Sequence, residues 1–469
     1  MRICMILEGC YPYVTGGVSS WMHQYIQAMP QHEFVLWVIA SFAKEKGNFK
    51  YQLPENVVEV REVFLDDALR LSCRHRKKVH FTESEMAALA ALIGCKSPDW
   101  NLLFSMYHDQ GMDPLAALMS EDFLHILEDM CQSSYPYTAF ADMFHTVRSM
   151  LLPVFFMMQQ KVPEAEIYHA VATGYGGLLA SLASYVTGRP CILTEHGIYT
   201  REREEEIIRA KWVVPAFKNH WIQFFYMLSD LIYQRAVRVT SLFENAGKIQ
   251  MDLGCPPKKC CVISNGIHYG RFAHIPPKEE NGWIDIGAVV RLAPIKDIKT
   301  MLSSFYELKS RIPKARLHIL GGVDDEEYAG ECRQMIQKLA LTDLWMPGIV
   351  DVAAYMEKLD FTILTSISEG QPLSILESFA AARPVVTTDV GCCRELVSGA
   401  RGDQLGSAGY CVLPMSREAL TDAMEKMCRE TETRKKMGIT ARARAGRYYR
   451  HEDMIEKYQA VYNQVLEVN

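Results

Sequence analysis

Length, composition and charge limit the class of protein. A chain of 469 residues is too long for a single hydrophobic core, which predicts two domains of about 150–250 residues each. Hydrophobic residues make up 49% of the chain and charged residues 23%, a globular composition that excludes a disordered chain. The net charge of −6 gives no electrostatic reason to expect a nucleic-acid partner, and the basic clusters at 74–78 and 433–450 are interpreted as solvated faces.

Cysteine usage and the N-terminus indicate the compartment. None of the 14 cysteines form a CxxC pair, and Cys4 and Cys191 lie in apolar runs typical of buried strands. This pattern favours a reducing compartment. The first residues lack the features of a signal peptide, and the apolar cluster at 150–158 is too short to span a bilayer. We therefore expect a soluble enzyme in the cytoplasm.

Strands and helices alternate at the start of the chain. Residues 3–9 form an apolar run typical of a strand, residues 17–29 carry apolar side chains at helical spacing, and residues 34–40 predict a second strand. A strand–helix–strand opening predicts a parallel sheet.

Residues 65–160 break this alternation. They are rich in Met, His and aromatic residues, and Thr82 and Glu85 are spaced as a capping box. We predict a helical insertion on the first domain. Beyond it, strands are predicted at 167–173 and 190–197, and one long charged helix over 203–233.

A second alternating unit begins near residue 284. Its predicted strands lie at 284–291, 316–322, 344–350, 361–366 and 384–390. The polar, proline-containing segment 271–283 is interpreted as the linker. The predicted fold class is therefore α/β, with two doubly wound, Rossmann-like domains at 1–275 and 276–449.

Three short motifs follow predicted strands, at the edge where ligands of such sheets bind. Gly16 and Gly17 close a loop and open a helix, where the backbone can approach an anion, although their spacing is not that of a nicotinamide dinucleotide site. His196 can donate a hydrogen bond to substrate. Arg291 and Lys296 suit a diphosphate. Each motif also has a plain structural interpretation: a strand–helix turn, a loop histidine with satisfied hydrogen bonds, and a surface pair.

The fourth motif, SEGQPLSILE at 368–377, leads into a helix that begins near Pro372. Glu369 lies before that helix and Glu377 more than one turn inside it, so they do not form an acid–base dyad and are expected to contact different parts of one elongated ligand. The structural alternative is a helix-dipole contact for Glu369 and an exposed Glu377. Amides of the first helical turn have no partner within the helix and can hold a phosphate. They belong to Leu373, Ser374 and Ile375.

In this order, the motifs resemble those of the retaining GT-B glycosyltransferases in the large group called family 4. The matching pieces are Gly16 with Gly17, His196, Arg291 with Lys296, Glu369 with Glu377, and the stretches 263–268 and 384–397. The stretches 8–24, 194–204 and 289–300 are similar to the PelF subfamily, the cytoplasmic glycosyltransferases of Pel exopolysaccharide synthesis.

The resemblance implies a fold and a reaction. It implies two domains facing a central cleft, with the C-terminal helix at 450–469 completing the first domain. The implied reaction moves a sugar, with retention, from a nucleotide sugar to a growing Pel-like exopolysaccharide, and the subfamily implies UDP as the nucleotide. No metal or other cofactor is implied. The implied partners are the donor, the polysaccharide acceptor and inner-membrane components of a synthase complex, at the inner face of the cell membrane.

The resemblance also assigns roles. Glu377 matches the acid that accepts hydrogen bonds from the ribose hydroxyls, Glu369 the acid near the donor sugar, and His196 a histidine near the reacting carbon. Arg291 and Lys296 match the pair that neutralises the leaving diphosphate. The remaining donor-binding positions are Gly16, Gly17, Gly370, Gln371, Pro372, Leu373, Ser374 and Ile375. Many relatives have Phe or Ser where this chain has Gln371, so the motif does not name the sugar.

Two other functions fit part of the pattern. A non-hydrolysing nucleotide-sugar epimerase shares the fold, but the paired cations and the two spaced glutamates argue against it. A nucleotide-sugar-sensing scaffold of a membrane synthase complex does not need the intact motif set. The acidic stretch 323–327 is interpreted as a surface loop rather than a metal site.

Overall fold

The computed structural model describes residues 1–72 and 79–467. The basic cluster at 74–78 and the last two residues of the helix predicted at 450–469 lie outside these ranges. The chain divides into a first unit, Met1–Val262 with Gln459–Asn469, and a second unit, Ile263–Tyr458. Within residues 1–72 and 79–467, no helix has both the length and the hydropathy needed to cross a bilayer.

The first unit is built on a parallel sheet of seven strands in the order β3-β2-β1-β4-β5-β6-β7. The strands are β1 (Arg2–Glu8), β2 (Glu33–Ala40), β3 (Val57–Phe64), β4 (Ile167–Ala170), β5 (Cys191–Glu195), β6 (Arg238–Ser241) and β7 (Cys260–Val262). The predicted parallel sheet is confirmed, because β1 and β2 are continuous apolar runs buried on both faces. Strand β3 was not predicted, because it is a partly exposed edge strand whose polar residues weaken the apolar pattern.

Eleven helices of the first unit surround this sheet in the part of the chain that the structure describes. They are α1 (Gly17–Gln27), α2 (Leu65–Ala68), α3 (Glu83–Ile93), α4 (Trp100–Phe104), α5 (Pro114–Leu118), α6 (Glu121–Ser134), α7 (Phe140–Met158), α8 (Gly174–Thr187), α9 (Tyr199–Arg209), α10 (Lys218–Arg235) and α11 (Glu244–Asp252). The predicted single helix over 203–233 is wrong. Its chain leaves helical geometry at Ala210, and Pro215, which lacks an amide donor, begins a short 3-10 turn before α10.

The insertion at 65–160 is helical, as predicted, over its described residues. It contains α2 to α7, and the capping box of Thr82 and Glu85 is formed at the start of α3. Side chains such as Leu89 and Phe155 belong to the same hydrophobic cluster as Trp37 of β2. The insertion therefore shares the core of the first unit.

The second unit is built on a parallel sheet of six strands in the order β10-β9-β8-β11-β12-β13. The strands are β8 (Ile284–Val289), β9 (Ala315–Leu320), β10 (Leu344–Gly348), β11 (Phe361–Leu364), β12 (Val385–Thr388) and β13 (Gly409–Val412). The helices are α12 (Tyr269–Ala273), α13 (Ile298–Arg311), α14 (Glu326–Lys338), α15 (Val352–Met356), α16 (Leu373–Ala380), α17 (Cys393–Ser398), α18 (Arg417–Arg429) and α19 (Thr431–Tyr448), followed by α20 (His451–Glu467). All five predicted strands are present, and the short β13 was missed.

Strand order reverses at one point in each sheet. The reversal lies between β1 and β4 in the first unit and between β8 and β11 in the second. In open parallel sheets, ligands bind beside the carboxyl ends of the strands at this point. The two units are therefore Rossmann-like, and each has one edge suited to a ligand.

Residues 263–275, predicted to end the first domain, are grouped with the second unit. Hydrogen bonds account for this grouping: the Ile267 amide donates to the Tyr449 carbonyl (2.9 Å), and the His451 amide donates to the Ile267 carbonyl (2.9 Å). The last helix, α20, begins in the second unit and is grouped with the first from Gln459 onward.

Helix α20 is held in the first unit through Tyr462. Its hydroxyl accepts a hydrogen bond from the Tyr25 hydroxyl (2.7 Å) and lies 2.7 Å from Nδ1 of His169, whose Nε2 lies 2.8 Å from the Thr194 hydroxyl. Burial lowers the pKa of His169 to about 3, so its ring is neutral at physiological pH. These contacts fix the helix by a buried, uncharged network.

The basic cluster at 433–450 is only in part the predicted solvated face: Lys435, Lys436 and Arg447 are exposed, but three other arginines are partly or fully buried. Arg444 is fully buried, lies 2.5 Å from Asp403, and donates to the Leu396 carbonyl (2.9 Å). Arg442 and Arg434 also donate to backbone carbonyl groups. These arginines tie α19 to neighbouring helices and to the loop of Asp403 in its own unit.

Candidate active site

Two loops meet where the strand order of the second unit reverses. The loop after β8 carries Arg291 and Lys296, and the SEGQPLSILE motif spans the loop after β11 and the start of α16. The Ile367 amide donates to the Ile295 carbonyl (2.9 Å), and the Thr365 hydroxyl donates to the Lys296 carbonyl (2.8 Å). These bonds place the third and fourth motifs beside each other.

Lys296 and Glu369 are in direct contact. Lys296 Nζ lies 2.5 Å from Glu369 Oε1, and the Ser366 hydroxyl donates to the same oxygen at 2.5 Å. The Lys296 side chain is 19% exposed and that of Glu369 is 11% exposed, so solvent screens this pair less than a surface ion pair. Glu369 therefore orients the ammonium group of Lys296, a role that the sequence did not reveal.

Arg291 lies in the same loop but has a different partner. Its guanidinium contacts Asp324 at 2.7 Å, and both side chains are about half exposed. An exposed pair of this kind contributes little free energy, so Arg291 can exchange Asp324 for another anion at small cost. Asp325 caps α14 by accepting from the Tyr328 amide (2.9 Å), which gives the acidic stretch 323–327 two structural roles.

Helix α16 begins directly after the fourth motif. Pro372 is its N-cap residue, and no side chain within the described residues caps this end. The Ile375 amide donates to the Pro372 carbonyl (3.2 Å), so the amides of Leu373 and Ser374 are the better ligand donors of the predicted three. This end of the helix can bind an anion.

Glu377 lies one turn inside α16 and is partly buried, so the alternative of a fully exposed side chain is wrong. Burial raises the pKa of its carboxyl group from 4.5 to about 7, and the positive charge of Arg271 opposes that rise. Both the neutral and the ionised form of Glu377 are therefore populated near physiological pH. Perturbed acids at a sheet edge are typical of functional sites.

The loop from Glu369 to Pro372, which we call the donor loop, is held by two further contacts. The Cys392 amide donates to the Gly370 carbonyl (3.1 Å), and the Gln371 Oε1 accepts from the Asn265 amide (2.6 Å). Gly391 has a φ of +55°, and an added Cβ there would lie 2.2 Å from the Glu369 carbonyl oxygen. Only glycine permits this close approach.

The other predicted site residues lie in the first unit. His196 follows β5, and its ring packs edge-on against Trp21 of α1 with the centroids 4.4 Å apart. Its Nε2 is buried and has no hydrogen-bond partner among the described residues, and burial lowers its pKa to about 4. His196 is thus a neutral ring whose buried Nε2 lacks a hydrogen-bond partner among the described residues, so the alternative of a histidine with satisfied hydrogen bonds is wrong.

Gly16 and Gly17 start helix α1. Gly16 is its N-cap residue and Gly17 its first residue. A Cβ added to either glycine would meet nothing within 4 Å, and neither glycine has a φ in the left-handed region. Packing of the chain therefore gives no reason for glycine at these positions, and the space above them is open to a ligand.

Two acids at the same edge were missed. Glu8, the last residue of β1, accepts from the Gly176 amide (2.9 Å) and the Tyr199 hydroxyl (3.0 Å). Glu195 immediately precedes His196, is buried, and accepts from the Tyr233 hydroxyl (2.7 Å); burial raises its pKa to about 7. The available signal was an acid at the last position of an apolar strand.

Family models match both units. Residues 1–258 match the family described as a domain of unknown function, DUF3492, which is more than half of the chain. This chain belongs to that family. Residues 274–444 match the glycosyl transferases group 1 model. The predicted glycosyltransferase class is therefore confirmed for the second unit.

Curated relatives of this family member are distant. The MMP alpha-(1->4)-mannosyltransferase of Mycolicibacterium hassiacum is 23% identical over 287 residues, covering 60% of this chain and 66% of that protein. The poly(glycerol-phosphate) alpha-glucosyltransferase of Bacillus subtilis is 29% identical over 183 residues, covering 38% of this chain and 26% of that protein. The chain thus spans less than two thirds of the length of either relative.

Solved structures resemble the whole chain. Anabaena Alr3699/HepE in complex with UDP has a TM-score of 0.64 at 14% identity, covering 99% of this chain and 100% of that one. The sucrose-phosphate synthase of Thermosynechococcus elongatus has a TM-score of 0.62 at 13% identity, covering both chains completely. The DUF3492 family member has the GT-B fold, as predicted.

Proposed function

We propose that this protein is a retaining glycosyltransferase of family 4 that transfers a sugar from a UDP-sugar to a growing Pel-like exopolysaccharide. The observation that carries the proposal is the convergence of Lys296, Glu369 and the start of α16 where the strand order of the second unit reverses. The motif resemblance to the PelF subfamily supports the acceptor class. The complex of Anabaena Alr3699/HepE with UDP supports the nucleotide.

Each part of the proposed donor has a partner in the second unit. Glu377, in its ionised form, accepts hydrogen bonds from the ribose hydroxyls. The amides of Leu373 and Ser374 and the cations of Arg291 and Lys296 bind the diphosphate. Glu369 holds the Lys296 ammonium group and contacts hydroxyls of the donor sugar. The motif resemblance also assigns donor-binding roles to Gly16, Gly17 and His196, which belong to the first unit.

The proposed chemistry uses these groups to stabilise a leaving diphosphate. The bond between the anomeric carbon and the diphosphate oxygen breaks, and the acceptor oxygen bonds to that carbon from the same face. The acceptor proton passes to the departing diphosphate. Fixed cations and helix-end amides stabilise the negative charge more in the transition state than in the substrate. Arg291 and Lys296 take the place that a metal ion has in other transferases.

The proposed partners follow from the product. A growing exopolysaccharide requires inner-membrane components that export it, and these place the reaction at the inner face of the cell membrane. This part of the proposal rests on the subfamily resemblance alone, and co-purification of the chain with inner-membrane proteins tests it.

A thermal-shift screen of UDP-, GDP- and ADP-sugars tests the donor. A ligand that binds the folded state raises the unfolding temperature. We expect a UDP-sugar to stabilise the wild type and Lys299→Ala but not Lys296→Ala; Lys299 pairs with Glu331 in the adjacent helix and serves as the matched control. Stabilisation by GDP- or ADP-sugars alone refutes the UDP assignment.

Product analysis then tests the reaction. Incubation with the stabilising nucleotide sugar and a polymer acceptor should release UDP and extend the acceptor. Release of a free epimerised nucleotide sugar identifies an epimerase instead. Unchanged polymer synthesis in cells that carry Lys296→Ala and Glu369→Ala identifies a scaffold.

A further inference from the structure

Gln371 connects the donor loop to the segment 263–268, through which the chain enters the second unit. Its Oε1 accepts a hydrogen bond from the Asn265 backbone amide at 2.6 Å, across 106 residues of sequence. Gln371 is 7% exposed and Asn265 is 5% exposed. A buried amide strongly requires an acceptor, and Gln371 supplies it.

The segment 263–268 is itself firmly attached. Ile267 exchanges hydrogen bonds with the chain at Tyr449 and His451, both at 2.9 Å. The Gly266 amide lies 3.4 Å from the sulfur of Met454, and an added Cβ at Gly266 would lie 2.4 Å from the Arg450 carbonyl oxygen. The segment is therefore wedged against the start of α20 and is a fixed support for whatever it holds.

Among the described residues, three contacts attach the donor loop to segments outside its own β11–α16 connection. Glu369 bonds Lys296 in the loop after β8, and the Gly370 carbonyl accepts from Cys392 in the loop after β12. Gln371 adds the third attachment, to Asn265, immediately before Pro372, the N-cap residue of α16. The position of the first α16 amides depends on this last attachment, because Pro372 directly follows Gln371.

We propose that Gln371 is a positioning residue for the donor and does not contact the donor sugar. Its side-chain oxygen holds the donor loop against the segment 263–268, so that the amides of Leu373 and Ser374 point at the diphosphate. Many relatives have Phe or Ser at this position. A Phe side chain has no acceptor for the Asn265 amide, and a Ser side chain is too short for its hydroxyl to reach the place of the glutamine oxygen. This inference rests on the proposed function, since it concerns the same donor site.

Two substitutions test this role by calorimetry with UDP and with the UDP-sugar found in the screen. Gln371→Met keeps the approximate volume but has no oxygen acceptor, whereas Gln371→Glu keeps an oxygen at the same position. An unpaired buried amide distorts or destabilises the loop. We therefore expect Gln371→Met to weaken the binding of UDP and of the UDP-sugar by the same factor, on the order of tenfold. Gln371→Glu should recover most of that loss.

The outcomes separate the possibilities. A Gln371→Met variant that binds UDP normally but binds the UDP-sugar weakly shows a direct sugar contact and overturns the inference. If Gln371→Met binds UDP and the UDP-sugar each as tightly as the wild type does, the inference is also overturned. A wild type that binds no UDP refutes the proposed function instead.

Hydrogen exchange keeps the inference testable if Gln371→Met does not fold. In the wild type, the Asn265 and Ile267 amides should both exchange slowly, because both are hydrogen-bonded. In Gln371→Glu it should remain protected. Rapid exchange of the Asn265 amide in the wild type, beside a protected Ile267, shows that the bond to Gln371 is not stable and overturns the inference.

Discussion

Nucleotide affinity should rise with pH because of Glu377. Burial raises the pKa of this carboxyl group from 4.5 to about 7, so it is mostly protonated under mildly acidic conditions and mostly ionised under mildly basic ones. Ribose hydroxyls donate hydrogen bonds, and an ionised carboxylate accepts them more strongly than a protonated carboxyl. The ionised form is therefore the form that binds in the proposed site.

The expected size of the effect follows from the ionised fraction. With a pKa of about 7, roughly one Glu377 in eleven is ionised at about pH 6, and roughly ten in eleven at about pH 8. The apparent Kd equals the intrinsic Kd divided by the fraction in the binding form, so UDP should bind about tenfold more tightly at the higher pH.

Calorimetry with UDP across this range, at constant ionic strength, measures the effect. Glu377→Gln is the matched control, because it keeps the side-chain size and an acceptor oxygen but does not titrate. The phosphate groups of UDP also titrate, with a second pKa near 6, and their contribution remains in the variant. The difference between the two pH profiles isolates Glu377. Identical profiles for wild type and Glu377→Gln refute the ribose assignment.

Three further predictions concern stability and the donor loop. Since burial raises the pKa of Glu195 to about 7, this carboxyl group contributes stability that is lost as pH rises from about 4.5 to about 7, and the wild type should lose stability relative to Glu195→Gln over that range. Arg444→Met leaves a buried aspartate unpaired and should cost about 3–5 kcal/mol by urea unfolding, whereas the exposed Arg429→Met should cost under about 1 kcal/mol. Gly391→Ala places a Cβ atom too close to the Glu369 carbonyl oxygen and should weaken the binding of UDP at least about tenfold.

Each of these has a clear contrary result. A pH profile of unfolding that is the same in wild type and Glu195→Gln shows that this carboxyl does not titrate as its burial requires. If both arginine variants lower the free energy of unfolding by the same amount, the buried pair stabilises the protein no more than a surface pair does. Normal UDP binding by Gly391→Ala shows that the donor loop tolerates displacement.

Much of the fold was predictable because its signals are local. The apolar runs of β1, β2 and β8 and the capping box of α3 depend only on residues within a few positions of one another. The missed strands β3 and β13 are edge strands, partly exposed and weakly apolar. The predicted helix over 203–233 failed because its overall character is helical, while Pro215 within it prevents continuation.

The candidate site shows a sharper division. The sequence alone determined the α/β class, the two sheets and the position of each motif after a strand. These features depend on strand length and on the spacing of apolar residues, which can be read from neighbouring positions in the chain. Only the tertiary structure decided that Lys296 meets Glu369 across 73 residues and that Gln371 turns to Asn265 across 106. It also decided that Glu377 is buried enough to titrate near pH 7. The hydrogen-bond partners and the pKa of a side chain depend on which residues, distant in sequence, surround it in the fold. Neither motif spacing nor composition identifies those residues.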